Sequence, residues 1–298
     1  MLSNIKYIHC FGTSHTAGGG FEFNCKDSIK DSLIRKYYSL EDEDLTQFNF
    51  SYPGQLQKLV GDNIKVYNYG KQGYGNDRLY RKFYDIVNNE DFKNSENIFI
   101  FEFTGLGRKE YFLNQINKHI TINWQHQYNK SNIKKTNFTD VASSYYYEDE
   151  TDLLFLKKES KFFKKYVDFF VNWEIEFKKL SMEIEFFIAY LDKFNINYFF
   201  TSPPPLIQTL DSHKIEFGDG THFKKRTNFL DFTWDNKLTI KDETDGGYNE
   251  LHNGFKSNKL CAIIIFNKLI QENYINFPFI SIDWKDYKIK NMTNISLI

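Results

Sequence analysis

The chain is poor in cysteine and proline, has no long apolar run and carries almost no net charge. Its 298 residues include 3 Cys and 5 Pro. Cys10, Cys25 and Cys261 are widely spaced and odd in number. They support neither a disulfide framework nor a Cys-x-x-Cys zinc pair, and no metal site is expected. This usage fits a reducing compartment, while a virion or cell surface stays open. No stretch of about 18 apolar residues occurs, so no membrane-spanning helix is expected. The first apolar run begins almost at once, near Tyr7, with no basic segment and long apolar stretch before it. No secretory signal is therefore read, and a cytoplasmic or virion-associated location is expected. A formal net charge of −1 removes the global basic field that nucleic-acid binding would need. The pairs Lys157-Lys158 and Lys164-Lys165 read as solvated helix faces.

What is abundant is aromatic. Phe and Tyr number 31 and 20, and aromatics make up 18% of the chain. An AT-rich coding sequence produces such a bias without functional cause. The same rings can line a sugar or acyl site, and both readings stand at this point. With 41% hydrophobic and 26% charged residues the composition is that of an ordinary globular protein. The length allows one large domain. We read residues 1–298 as that domain, with insertions at about 109–158 and 206–244. There is no internal repeat and no linker-like tract.

Hydrophobic periodicity orders the rest. Short apolar runs predict strands near 7–11, 64–68, 97–104 and 198–201. Helical spacing predicts a short helix over 52–60, and another in which Leu79, Phe83 and Ile86 share a face, with Asp77 as its N-cap. A long helix is expected over 159–193, where Phe162, Tyr166, Phe170, Trp173, Phe177, Leu180, Ile184, Phe187 and Leu191 make one broad stripe. That stripe reads as core contact, with an oligomer face as the second option. A final helix carries the apolar run 260–266 and ends near Gln271. Weaker strand signals fall near Phe229, near Leu238 and over 279–282, and the region from Lys109 to about Asp152 reads as irregular. Strands alternating with helices predict βαβ units, a central parallel sheet and a three-layer α/β/α sandwich.

In such a sheet, chemistry collects at the carboxyl ends of the strands. Here those ends are Gly12-Thr13-Ser14, Gly70 to Gly75, Gly105 to Arg108, and Ser202 to Pro205. A histidine-bearing loop, Asn249-Glu250-Leu251-His252, precedes the last helix. A serine on a strand-end turn is a candidate nucleophile if a base and an oxyanion site reach it. The glycines 18–20 lack the spacing of a phosphate loop.

The order of these blocks resembles the SGNH hydrolase superfamily, the GDSL-like esterases and lipases. Its Gly-Asp-Ser-x-Thr block corresponds to Gly12-Thr13-Ser14-His15-Thr16, with Thr in place of Asp. Its Asn-x-Gly-x-x-Gly block is matched in full by Asn68-Tyr69-Gly70-Lys71-Gln72-Gly73. Its Gly-x-Asn-Asp block meets Gly105-Leu106-Gly107-Arg108, and its Asp-x-x-His block meets Asn249-Glu250-Leu251-His252. The blocks span residues 8 to 270, most of the chain. The resemblance implies a flavodoxin-like sheet of the SGNH type. It also implies Ser14 as nucleophile and His252 as general base, and an oxyanion site built from the amides of Ser14 and Gly73.

Two positions depart from that pattern. Gly107 stands where the family's Asn side chain completes the oxyanion site; its amide or the Thr104 hydroxyl is the available substitute. Asn249 holds the position of the orienting acid, leaving Glu250, Asp245 or a backbone carbonyl for the role. His222, in Asp219-Gly220-Thr221-His222, competes with His252 but is not followed by an apolar helix. Asn68, Arg108 and His15 are candidate substrate contacts; Asn68 can equally be a loop holder. His9 reads as structural.

The expected activity is a serine esterase removing an O-acyl (acetyl) group from a carbohydrate, with no cofactor. An O-acyltransferase uses the same residues. The alternative from a different class is a glycan-binding or structural protein, such as a virion component, on a degenerate scaffold of this type. The expected partner is a small-molecule or glycan ester, with neither nucleic acid nor membrane, and with oligomerisation through helix 159–193 open.

Overall fold

The computed structural model of the chain describes residues 5–18, 47–71, 75–89, 92–103, 108–114, 117–123, 145–146, 165, 169, 172–201, 229–230 and 255–282. Its main sheet is built from β1 (Tyr7–Phe11), β2 (Lys65–Asn68), β3 (Asn97–Glu102), β7 (Asn197–Thr201) and the two-residue β8 (Phe229–Leu230). The order is β2-β1-β3-β7-β8, and every pairing is parallel. Parallel neighbours need long crossovers, usually helical. Helices α1 (Ser14–Ala17), α2 (Gln47–Phe50) and α3 (Tyr52–Val60) lie between β1 and β2. Helix α4 (Asn76–Val87) lies between β2 and β3, α5 (Trp173–Lys193) precedes β7, and α6 (Phe255–Gln271) follows β8.

Register and alternation divide the core in two. Ile8 pairs with Val66 on one side and Ile98 on the other. These residues, with Cys10, Ile100 and Phe199, pack against Leu56 and Val60 of α3 and Leu260, Ile265 and Leu269 of α6. The intervening residues Phe11, Phe99, Phe101, Tyr198 and Phe200 pack with Leu79 and Phe83 of α4 and with Leu180, Ile184, Phe187 and Leu191 of α5. Successive strand side chains alternate between faces, so β1, β3 and β7 each feed both clusters. The second cluster is where much of the phenylalanine goes. Phe83 meets Phe99, Phe101 and Phe187 edge to face, with ring centroids 5.2, 5.6 and 5.1 Å apart. That geometry places ring edges on ring faces and adds to the area buried.

Four local expectations change. The region after Arg108 is not irregular throughout: β4 (Arg108–Leu113), β5 (Lys118–Asn123) and β6 (Tyr145–Tyr146) form an antiparallel sheet. Lys, Glu and His break the apolar alternation there, and Asn117 makes the turn at φ 52, a conformation Asn tolerates better than most residues. Asp77 does not cap α4. Gly75 is the N-cap residue, and the Asp77 carboxylate accepts from the Glu110 amide at 2.8 Å, holding β4 instead. Residues 279–282 form no strand. Ile280 donates its amide to Asn267 Oδ1 (3.0 Å) and accepts from Asn267 Nδ2 (2.8 Å), so a side chain of α6 takes the backbone pairing a strand would need. The long helix expected over 159–193 is also interrupted: α5 starts at Trp173, and Asn172 before it is not helical, its Oδ1 accepting from the Ile175 amide at 3.2 Å. The strand signal near Leu238 and residues 159–164, 166–168 and 170–171 lie outside the described residues. Among the described residues no helix is long and apolar enough to cross a membrane.

Phe83 is fully buried and Tyr84 is 40% exposed. Phe83→Ala is expected to lower unfolding stability by about 3–5 kcal/mol, measured by urea denaturation, and Tyr84→Ala by much less.

Candidate active site

Strands β2, β1 and β3 are neighbours and end at Asn68, Phe11 and Glu102. The chain segments that follow them therefore emerge side by side. The ladder runs past the strand ends: Tyr69 donates its amide to the Cys10 carbonyl (2.8 Å), and Lys71 donates to Gly12 (3.1 Å). The Gly12 turn and the loop after Asn68 are thus joined before either leaves the sheet. Gly70 sits against α1 so closely that an added Cβ would lie 2.5 Å from the Ala17 nitrogen. Only glycine allows that approach of two backbones.

Asn68 fastens the same contact. Its Nδ2 donates to the Thr16 carbonyl (2.8 Å) and to Ser51 Oγ (3.3 Å), while its Oδ1 accepts from the Gly70 amide (2.9 Å). These are the bonds of a residue that holds loops. Ser51 in turn caps α3, its Oγ accepting from Gly54 at 3.3 Å and donating to the Phe48 carbonyl at 2.6 Å.

Ser14 opens α1, the short helix closed by the Ala17 amide donating to the Thr13 carbonyl at 2.9 Å. For Ser14 and His15 the description covers the backbone and not the side chains. Directly behind this turn lies Glu102, with 0% of its surface exposed. Its carboxylate accepts from Thr13 Oγ1 (3.0 Å), from the Thr16 amide (3.0 Å) and from Thr16 Oγ1. The space it occupies is the space a side chain at position 12 would need. A Cβ on Gly12 would stand 2.6 Å from Glu102 Oε2 and 2.1 Å from Thr16 Oγ1. Gly12 therefore serves the packing of Glu102.

Burial pushes the Glu102 carboxyl up to about 7, against the pull of its Thr16 and Thr13 hydrogen bonds and the positive field of Arg108. Arg108 is the candidate substrate contact at the start of β4. The hairpin it begins is tied to α4 by a paired contact, Arg81 Nε and Nη2 to Glu110 Oε2 and Oε1 at 2.9 and 2.8 Å. Planar two-point pairing of this kind fixes orientation as well as distance.

The final helix reaches the same corner. Asn258 Oδ1 in α6 accepts from the Tyr52 amide at 3.0 Å, and the Tyr52 hydroxyl lies 3.5 Å from Thr16 Oγ1. The first turn of α6 is therefore fastened to the start of α3, whose Tyr52 side chain reaches α1. His9 is elsewhere, on the aromatic side of the sheet. Its ring stacks on Phe99 (4.8 Å) and Tyr67 (5.3 Å), and Nε2 lies 2.7 Å from Asn97 Oδ1. Burial lowers its pKa, which keeps the imidazole neutral and suits a structural role.

The structure thus brings together the Ser14 backbone, the loop up to Lys71, Arg108 and the start of α6. Gly73, Thr104, Gly107, His222, Asp245, Asn249, Glu250 and His252 lie outside the described residues, as does Cys25. Among the described residues no group of His, Cys, Asp and Glu is arranged to hold a metal ion. Glu102 is the residue the sequence reading passed over. Its signal is a lone acid inside the apolar strand Ile98-Phe99-Ile100-Phe101-Glu102-Phe103. Glutamate is almost never fully buried without partners, so the chain around it must supply them.

The raised pKa of Glu102 has a stability consequence with a fixed sign. The folded state holds the proton up to about pH 7, whereas an ordinary glutamate releases it near 4.5. The favourable contribution is complete below the lower value and is lost as pH rises through the upper one. Denaturant unfolding from pH 4.5 to 8 is expected to show a stability loss of about 3 kcal/mol from this group, and Glu102→Gln is expected to remove that part of the slope. Comparison of the chain with protein-family models, with curated proteins and with solved structures finds no match, so the reading of this site rests on its own residues.

Proposed function

We propose that the chain is a serine ester hydrolase of the SGNH type that removes an O-acyl group, acetyl in the simplest case, from a carbohydrate. In this reading the parallel sheet, with its side chains alternating between the α3/α6 and α4/α5 clusters, is the centre of a three-layer, flavodoxin-like sandwich. The observation that carries the proposal is the joined corner at the ends of β1, β2 and β3. There the Ser14 turn is bonded to the Gly70 loop through Asn68 and braced from behind by Glu102.

The chemistry follows from that corner. The Ser14 hydroxyl attacks the ester carbonyl carbon while His252 takes its proton. Negative charge gathers on the carbonyl oxygen. The amides of Ser14 and Gly73 donate to it, with Gly107 on the neighbouring loop as the third donor. Each such donor is worth about 3 kcal/mol in the transition state. The tetrahedral carbon collapses, the C–O bond to the sugar breaks, and His252 returns the proton to the leaving alcohol. Water then attacks the acyl-serine by the same route, releasing the carboxylic acid. Glu250 is the acid nearest in sequence to His252, with Asn249 in the motif position. Arg108 and His15 would face the substrate, and the aromatic insertions would stack on the sugar.

Two features support His252 over His222. It stands three residues before α6, and the first turns of α6 lie against Tyr52, next to Thr16. No cofactor enters this scheme.

The test is hydrolysis of p-nitrophenyl acetate and of an acetylated sugar, together with labelling of Ser14 by a fluorophosphonate. Ser14→Ala is expected to abolish labelling and to lower kcat on the order of 10⁴-fold or more. His252→Ala is expected to do the same, with His222→Ala retaining most activity. Equal inertness of wild type and Ser14→Ala, with no label on Ser14, would overturn the hydrolase reading and leave a binding protein on this scaffold.

A further inference from the structure

Glu102 takes no part in the chemistry just described, yet among the described residues the hydrogen-bond partners of its carboxylate all belong to the turn that carries Ser14. Thr13 precedes the serine and Thr16 follows it by two residues. Their hydroxyls and the Thr16 amide all donate to the one carboxyl group. The carboxyl group is held on β3, whose backbone pairs with β1 through Phe11–Phe101 and with β7 through Glu102–Thr201. It is fully buried, and Gly12 leaves it the space. The turn is thus clamped to the most buried strand of the sheet through three bonds to one side chain.

We propose that Glu102 is the positioning residue of the Ser14 turn, fixing through Thr13 and Thr16 the place at which Ser14 is presented to substrate. This rests on the reading of Ser14 as the nucleophile. The groups that face Glu102 are few. From α3 there is the Tyr52 hydroxyl and from α6 the Cys261 thiol, and burial raises both pKa values, so that they are neutral at neutral pH. From β4 comes the Arg108 guanidinium, the charged group whose field favours the carboxylate. A proton on Glu102 therefore converts an acceptor of three bonds into a group that must donate one, with Arg108 as the only charge among these neighbours to oppose it.

The experiment has two arms on the full chain. In the first, the Thr16 amide proton is followed by NMR from pH 5 to 9 in wild type, Glu102→Gln and Thr13→Val. In wild type it is expected to titrate with a midpoint near 7, moving downfield as the carboxylate forms, because a charged acceptor makes the stronger bond. Glu102→Gln is expected to abolish the titration. Thr13→Val removes a donor to the carboxylate and is expected to move the midpoint upward, which keeps the test available if Glu102→Gln does not fold. A Thr16 amide that does not titrate, or whose midpoint is unmoved by Thr13→Val, overturns the proposal.

The second arm measures p-nitrophenyl acetate hydrolysis. Glu102→Gln is expected to lower kcat by roughly 10²-fold, the scale of an ångström misplacement, with KM little changed. An unchanged kcat in a folded Glu102→Gln protein that still reacts through Ser14 also overturns it. A wild type that shows the Thr16 titration but no Ser14 reactivity sinks the hydrolase reading, while the clamp on the turn stands.

Discussion

One carboxyl group, sealed at the end of an apolar strand, governs how three chain segments meet. Glu102 cannot be buried alone, because an unpaired polar group in that setting costs several kcal/mol. Its partners are Thr13 and Thr16, so β1 must deliver its turn directly over the end of β3. Gly12 must then lack a side chain, because the carboxyl group fills the place of its Cβ. Asn68 bonds the Thr16 carbonyl and the Gly70 amide, which brings the β2 loop onto the same turn. The conformation of the turn and its contact with the β2 loop are here tied to satisfying one buried acid.

The sheet supplies the rigidity on which that arrangement rests. Ile8, Cys10, Ile98 and Ile100 are buried in one cluster, and Phe99, Phe101 and Phe200 in the other. A strand packed in this way leaves few places for polar side chains along its length, His9 with its Asn97 partner occupying one of them. The rest gather where the strands end, and in a parallel sheet all carboxyl ends share an edge. The hairpin of β4 and β5 extends the site on the α4 side. Arg81 and Asp77 hold it through Glu110, one by a paired ionic contact and the other by accepting an amide. Arg108, the first residue of that hairpin, is thereby kept within electrostatic reach of Glu102.

Much of this was legible residue by residue. The helix 52–60 and the strands expected at 7–11, 97–104 and 198–201 are marked by continuous or periodic apolar residues, and the structure has them within a few positions, at Tyr52–Val60, Tyr7–Phe11, Asn97–Glu102 and Asn197–Thr201. The Leu79-Phe83-Ile86 face packs against the aromatic cluster as its spacing requires. Less was legible where pairing is decided by partners distant in sequence. The β4–β5 hairpin has little alternation, and its formation depends on Glu110 meeting Arg81 and Asp77 of α4. The apolar signal over 279–282 misleads for the same reason, because Asn267 captures the Ile280 backbone. Asp77 looks like a cap in sequence, yet its carboxylate is drawn off by an amide 33 residues away.

Legible in the chain alone were the parallel α/β plan, the apolar character of β1, β3 and β7 and the placing of Gly12-Thr13-Ser14 and of Tyr69-Gly70-Lys71 just beyond two strand ends. These follow from short-range pattern, because burial and chain reversal leave local signatures. That Asn68 holds the two loops together and that Glu102 lies behind the Ser14 turn emerges only in the folded chain. The lone acid in an apolar strand is visible in sequence, but its partners are not. Thr13 and Thr16 lie 89 and 86 residues away, and only the pairing of β1 with β3 brings them within hydrogen-bonding distance of its carboxylate.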